Sequence, residues 1–449
     1  MLEIDRTLPL EQRLIVRGDE RYDEARRLWN GLLDPQPAAI AECFSTSDVV
    51  RAVAIARDRK WTISVRGGGH GVAGRACRDH ALVIDLRMRD VSVDPERLIA
   101  LAGGGATWND FDRATAAHGL ATTGGLISST GIGGLTLGGG IGWLMRRWGL
   151  ACDNLLGAEI VTADGRVRRV SDTEECDLFW ALRGAGIGLG AVTSLEYAVH
   201  PVRDVLAGMV IHSTSRAAEV LRFFRDLCAD APDALTALVA FSFAPPAPFV
   251  PPELHGKPVV VIAVCWSGDL SDGERIVAPI RAFGPPLADI IGPMRYADLQ
   301  TMLDGGAPPH QLNYWKSAFV PSLDEETIDL IVARGTALPS PLAQLHVHQL
   351  GGAVARVPAG STAFDQRSPP FLVNIPTMWT APDETEAMIG WTRDAHARIA
   401  RAPETTAYLN FQDRDENSAS AWTPATSDRL RAIKEAYDPT RLFGDEPLV

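Results

Sequence analysis

With 449 residues, 46% of them hydrophobic and 22% charged, the chain is long enough for two compact units and too evenly mixed for long disorder or a fibrous repeat. Its 56 acidic residues outweigh 43 basic ones, and a net charge of -13 repels phosphate backbones and anionic lipid surfaces, so no nucleic-acid partner is expected.

Glu3, Asp5, Arg6, Glu11 and Arg13 interrupt the apolar residues of the first sixteen positions, which leaves no signal-peptide core there. The longest apolar stretch, Pro258 to Trp266, falls well short of the roughly 20 residues a membrane helix needs. A cytoplasmic protein with no membrane span is expected. Six cysteines stand at 43, 77, 152, 176, 228 and 265 without a close pair, which reads as reduced thiols rather than a zinc knuckle or redox dithiol.

Taken in chain order, Ser47 to Lys60 has helical apolar spacing, and Thr62 to Val65 and Ala81 to Leu86 read as buried strands. Gly103 to Gly105 leads into Thr107, a helix cap with Asp110 three residues on, and that helix runs to Gly119. Ala158 to Val170 predicts a hairpin folded at Ala163-Asp164-Gly165. From about Val205 the texture changes. Leu235 to Phe243, Pro258 to Trp266, Leu312 to Phe319, Ala343 to Val357 and Phe371 to Trp379 look like strands, with helices at Ser215 to Ala229 and Glu384 to Ala400. The final stretch carries one helix, Ser427 to Tyr437. The pattern is α+β: a glycine-rich first domain, then a large antiparallel sheet backed by helices.

Four glycine clusters fall in one third of the chain: Gly67 to Gly71 around His70, Gly124 to Gly134, Gly138 to Gly142, and Gly184 to Gly188. Glycine lets backbone amides curl into a nest and lets a ligand come close, so several such loops suggest a long cofactor lying across many turns. A nicotinamide-binding Rossmann unit fails on context. Gly69-His70-Gly71-Val72-Ala73-Gly74 is followed by a stretch too short and polar for a helix, and Gly186 to Ala191 runs from helix to strand, the reverse of the required order.

In ordered succession, Val65 to His70, Gly125 to Leu144, Arg146 to Leu150, Asp153-Asn154-Leu155 and Asp177 to Gly184 resemble the berberine-bridge-enzyme-like flavoproteins of the p-cresol methylhydroxylase/vanillyl-alcohol oxidase superfamily. The likeness covers almost the whole chain and is closest in character to the bacterial 6-hydroxy-D-nicotine oxidase-type and natural-product tailoring branch. It implies a two-domain FAD fold: residues 1-204 for FAD, 205-404 for substrate, and 405-449 returning to the FAD side. It also implies a covalent link from His70 to the flavin ring methyl. Residues 67 to 71, with Gly67, Gly68, Gly69 and Gly71, would nest the pyrophosphate, and Arg66 would bind the cofactor beside them. Ser128, Ser129, Thr130, Gly131, Gly133, Gly134, Gly138, Gly139, Gly142, Trp143, Ile160 and Val161 would line the rest.

The chain departs from its relatives in places. A second link from Cys, present in many of them, would fall at Ile127, so one link is expected; Ile187 to Gly190 and the tail from Gly444 also differ. Tyr408 and Asn410 match a Tyr-x-Asn motif near the flavin. If extended they share a face, with Tyr408 as acid-base group or as a sheet anchor. The plant-type carboxylate base aligns with Ser361. On one strand face His346 and His348, followed by Gln349, read as pocket residues, a metal pair lacking a third ligand, or packed histidines; Tyr314, Trp315 and Lys316 are weaker pocket candidates. No metal is expected. The resemblance implies an FAD-linked oxidase that takes a hydride from an alcohol, amine or activated carbon of a small molecule and passes electrons to dioxygen. A dehydrogenase, an oxidative cyclase of secondary metabolism and a flavin-binding protein with little turnover are the alternatives, and oligomeric state is left open.

Overall fold

The computed structural model describes residues 8–246, 250–401, 407–416 and 418–445. The readings of the first seven residues and of the tail from Glu446 lie outside them.

The first part opens with a three-stranded parallel sheet, order β1-β3-β2, made of β1 (Ala39–Cys43), β2 (Ile63–Arg66) and β3 (Leu82–Leu86). Helix α1 (Thr46–Arg59) covers it, capped by the Ser45 side chain and closed by Lys60 at φ 57°. A five-stranded antiparallel sheet follows, from β4 (Val91–Asp94), β5 (Ile99–Gly103), β6 (Leu155–Val161), β7 (Val167–Ser171) and β8 (Ala191–Ala198), in the order β4-β5-β8-β6-β7. The predicted hairpin is β6 and β7. Helix α2 (Trp108–Ala116) starts with a full capping box, Thr107 and Asp110 each bonding the other's backbone N–H.

The second part is one antiparallel sheet with helices on one face. Its main strands are β9 (Asp204–Ser213), β10 (Leu235–Phe243), β11 (Pro258–Trp266), β12 (Leu312–Val320), β13 (Leu345–Gln349) and β14 (Phe371–Trp379), in the order β9-β11-β10-β13-β14-β12. Side chains alternate between its faces. Val210, Val239, Ile262, Val347 and Val373 pack under helices α3 (Ala217–Ala229), α4 (Leu270–Ala282), α5 (Glu325–Gly335) and α6 (Thr385–Ala400). The opposite face is left for the site. In this part β9, α4 with Pro279 inside it, and α5 were not anticipated, nor were β1, β4 and β5 in the first. The strand expected over Ala343 to Val357 stops at Gln349, because Gly351 and Gly352 take φ of 83° and 58° and turn the chain into a short helix, Ala353–Arg356.

After residue 407 the chain packs on the first part. Helix α7 (Pro424–Tyr437) sits in the same core as Trp180, Leu182 and Leu189, and the N–H of Ile63 donates to the carbonyl of Leu442 at 2.7 Å. No helix among the described residues is long and apolar enough to cross a membrane.

Candidate functional site

A cavity of about 960 Å³ runs between the glycine loops of the first part and the open face of the second sheet. That is the upper end of ordinary ligand pockets, with room for a long cofactor beside a small substrate. Of the expected cofactor residues, Gly67, Gly68, Gly69, His70, Gly71, Thr130, Gly131, Gly133 and Gly134 line it. Two of these loops touch: a Cβ on Gly68 would sit 2.4 Å from the backbone nitrogen of Gly131, so glycine is needed for the loops to meet.

His70 ends the first loop. Trp29 stacks on it with ring centroids 4.2 Å apart and planes at 17°, and its Nε2 is buried without a hydrogen-bond partner. Burial pushes its pKa down to about 4, so the imidazole is neutral at physiological pH and keeps a nitrogen lone pair for bond formation. A neutral, held histidine beside a glycine-walled cavity fits a covalent FAD. Trp29, which fixes the ring, carries no motif and was not anticipated.

Other expected cofactor residues stand outside the cavity. The Arg66 guanidinium makes a two-pronged ion pair with Asp85 at 2.9 and 2.8 Å, holding neighbouring parallel strands together. Ser128 binds Asp304 through its N–H and hydroxyl, and Ser129 is exposed. Gly138, Gly139, Gly142 and Trp143 are packed behind the lining, as are Ile160 and Val161 in the cores under it. In their places Gly104, Gly188, Gly190, Val192, Arg75, Arg78 and Phe443 reach the cavity. Ile127 also lines it, and none of the six cysteines does.

Asn410 lies on a 3-10 turn, Leu409–Phe411, that Tyr408 immediately precedes, so the two do not share a strand, yet they meet: Asn410 Nδ2 donates to the Tyr408 oxygen at 2.9 Å and to the carbonyl of Leu135 at 2.9 Å. The backbone N–H groups of Gly140 and Ile141 donate to the same phenol oxygen at 2.9 and 3.2 Å. Burial pushes this phenol up to about 12 against the pull of those three donors. Gly138 has no side chain because Asn410 occupies the space: a Cβ there would lie 2.1 Å from its Oδ1.

On the sheet, strict alternation decides which residues face the cavity. His346 and His348 do, with ring centroids 5.7 Å apart, and they find no third metal ligand among the described residues. Gln349 faces the other way and accepts from the N–H of Ala237, and Tyr314 faces away too, donating to Asp415 at 2.6 Å; the neighbour Trp315 takes the cavity side. Lys316 pairs with Asp415 at 3.2 Å, and Ser361 is exposed outside the cavity. Asn374, unanticipated, lines the cavity with its Oδ1 buried and unpartnered. Its signal was a lone amide in an apolar strand, two positions before Pro376.

Comparison with known proteins agrees. Residues 37–171 match the family described as FAD binding domain, and residues 407–447 the one described as berberine and berberine like. The chain is 30% identical over 460 residues to (R)-6-hydroxynicotine oxidase of Paenarthrobacter nicotinovorans, covering 97% of this chain and 96% of that one. The structure of 6-hydroxy-D-nicotine oxidase from Arthrobacter nicotinovorans superposes with a TM-score of 0.85 at 29% identity, over 96% of both chains. Glucooligosaccharide oxidase of Acremonium strictum, whose FAD is 6-S-cysteinyl, 8α-N1-histidyl, superposes with 0.84 at 26% identity over 96% and 95%.

Proposed function

This chain belongs to the berberine-like FAD-linked oxidoreductases, and from that premise we propose that it is an oxidase of a small organic molecule, carrying its FAD on His70 alone and using dioxygen as electron acceptor. The observation that carries the single link is local. His70 is neutral, held by Trp29 and open at Nε2, whereas the same cavity is lined by Ile127 where a second link would need a thiol. Six free cysteines, all away from the cavity, suit a reducing cytoplasm.

Bound FAD would supply two-electron oxidation of a carbon that carries a hydroxyl or amine, or of one activated by such a group. The protein supplies the rest. Gly67 to Gly71 and Thr130 to Gly134 would cradle the cofactor with backbone, His70 would anchor it, and the apolar sheet face would exclude water from the reacting carbon. Proton removal from the substrate heteroatom falls to Tyr408, because the three donors converging on its oxygen would stabilise the charge of the phenolate.

The test is acid precipitation followed by mass analysis of the tryptic flavopeptide, with peroxide followed during turnover. A yellow pellet with flavin only on the peptide holding His70 is expected, and His70→Ala should fold with FAD that a desalting column removes. A colourless wild-type pellet, or flavin on a cysteine, would overturn the reading.

A further inference from the structure

One face of the second sheet forms the substrate side of the cavity, and its chemistry is lopsided. Lining positions alternate along the strands: Met209 and Ile211 on β9, Leu238 and Ala240 on β10, Val261 and Ala263 on β11. Apart from Ser242 near the end of β10, the lining of those strands is apolar. Polar side chains gather at β13 and β14, where His346 and Asn374 are direct cross-strand partners and His348 lies two residues along. Among the described lining residues there is no Asp, Glu or Lys, and the two arginines, Arg75 and Arg78, stand on the first-domain loop.

The polar corner is incomplete. Asn374 is 2% exposed and His348 also 2%, yet Asn374 Oδ1 and His348 Nε2 have no hydrogen-bond partner. A buried polar atom left unmade costs about 1–3 kcal/mol, so two at one corner of an apolar pocket mark the place of a missing polar group. His346, by contrast, is already partnered. Gln344 donates its Nε2 to the carbonyl of Gly306 at 3.0 Å, which turns its Oε1 to His346 and makes the imidazole Nε2–H the donor at 2.7 Å.

Resting on the oxidase reading above, we propose that the substrate is an uncharged, largely apolar molecule with one recognition hydroxyl, separate from the group that Tyr408 deprotonates, that donates to Asn374 Oδ1 and pairs with His348 Nε2. Each part follows from what lines the pocket. An amide oxygen only accepts, so the incoming group must carry an O–H or N–H. Burial holds His346 down at about 4 and His348 at about 3, so neither offers a cation to a carboxylate or phosphate. With no carboxylate on the wall, an ammonium would be desolvated without a counter-charge. A sugar would leave hydroxyl after hydroxyl unpaired against Ile211, Leu238 and Val261. Trp315 and Phe411, 5.7 Å apart edge to face, and Phe411 with His348, 6.1 Å apart, add an aromatic side to the same corner.

The experiment is calorimetric titration of the purified holoenzyme with a matched set: 4-propylphenol, propylbenzene, 4-propylbenzoate, 4-propylbenzylammonium and cellobiose. 4-Propylphenol is expected to bind at least 10-fold tighter than every other probe. In Asn374→Leu and His348→Phe its affinity should fall at least 10-fold, to the level of propylbenzene, whose own affinity should hold or improve. A smaller margin in the wild type, or first place for any other probe, overturns the proposal. The wild-type series decides alone where a variant does not fold. Flavin content is scored on the same preparation by acid precipitation, so a wrong probe ranking with flavin on His70 sinks only the substrate class, and a missing flavin link leaves the ranking to be judged by itself.

Discussion

At the scale of single residues, the site turns on how burial sets the charge of groups that hydrogen bonds would otherwise tune. His70 is kept neutral by desolvation, and that suits a nucleophile. Tyr408 is held near 12 by the same cause, although Gly140, Ile141 and Asn410 all donate to its oxygen. If the phenolate is the proton acceptor, its population rises about tenfold for each pH unit below that value. The rate of flavin reduction by substrate should therefore climb across the alkaline range in the wild type. Tyr408→Phe should cut that rate by roughly 10²-fold and flatten its pH dependence, with the flavin spectrum unchanged. A flat wild-type profile in stopped-flow reduction would leave Tyr408 as the anchor of the Gly138 to Ile141 turn. His70 was legible only through the family resemblance, since a lone histidine in a loop is ordinarily a surface or turn residue, and the alternation that put His346 and His348 on one face did not separate pocket residues from packed ones. The sequence did not reveal Arg66, Tyr314 or Gln349 as framework residues, since each finds its partner, Asp85, Asp415 or the Ala237 backbone, far along the chain or on the hidden face. Trp29 went unseen for the same reason: its stacking on His70 spans 41 positions that no local pattern links.

Among elements, periodicity was a good guide wherever one face is buried. β10, β11 and β14 begin and end where alternation predicts, and α2 carries the cap its Thr-x-x-Asp spelling implies. β9 was missed because Gly208 interrupts its apolar run and polar Asp204, His212 and Ser213 stand at its ends. α2 also carries a burden that no pattern shows. Asp112, on its inner side, is buried with one oxygen accepting from Gln300 Nε2 at 2.9 Å and the other unpartnered. Desolvation raises this carboxyl from its ordinary 3.8 to about 7. The folded state thus holds the proton more tightly than the unfolded chain, so the stability this group contributes is complete below pH 3.8 and is lost as pH rises towards and through 7. The loss is of the order of 4 kcal/mol at most. Asp112→Asn, which keeps an acceptor for Gln300 and removes the charge, should raise the melting temperature at pH 8 and leave it near wild type at pH 4. Equal gains at both pH values in a thermal melt would show that charge is not the cause.

For the whole molecule, the segment after residue 407 closes against the first part beside the cavity. The last described segment reaches back across more than 300 positions: Leu442 accepts from Ile63, and Arg78 donates to Phe443, which itself lines the cavity. Its keystone is an ion pair with no exposure at all, Lys434 and Asp438 at 2.8 Å. Asp438 also accepts from the N–H groups of Leu442 and Phe443, and Lys434 donates to the carbonyl of Gly188 at 2.6 Å. A charge this deep is tolerated only because every partner is in place, and removing one partner of such a pair typically costs 3–5 kcal/mol. The residues from 405 onward are therefore proposed to complete the unit built by 1–204, as a discontinuous domain. Deleting the chain after Tyr408 should cost flavin retention as well as turnover, but loss of fold could produce the same result. Lys434→Met is the finer probe. It leaves the second sheet untouched and removes the hold on Gly188, inside the Gly186 to Gly190 loop of the cavity wall. In a His70→Ala background, where FAD is held without a covalent bond, the rate at which fluorescence reports flavin release should rise at least 10-fold, while 4-propylphenol titrated against the flavin-bound fraction keeps its affinity. Unchanged release with a full flavin load would mean that residues 1–204 hold FAD without the returning segment.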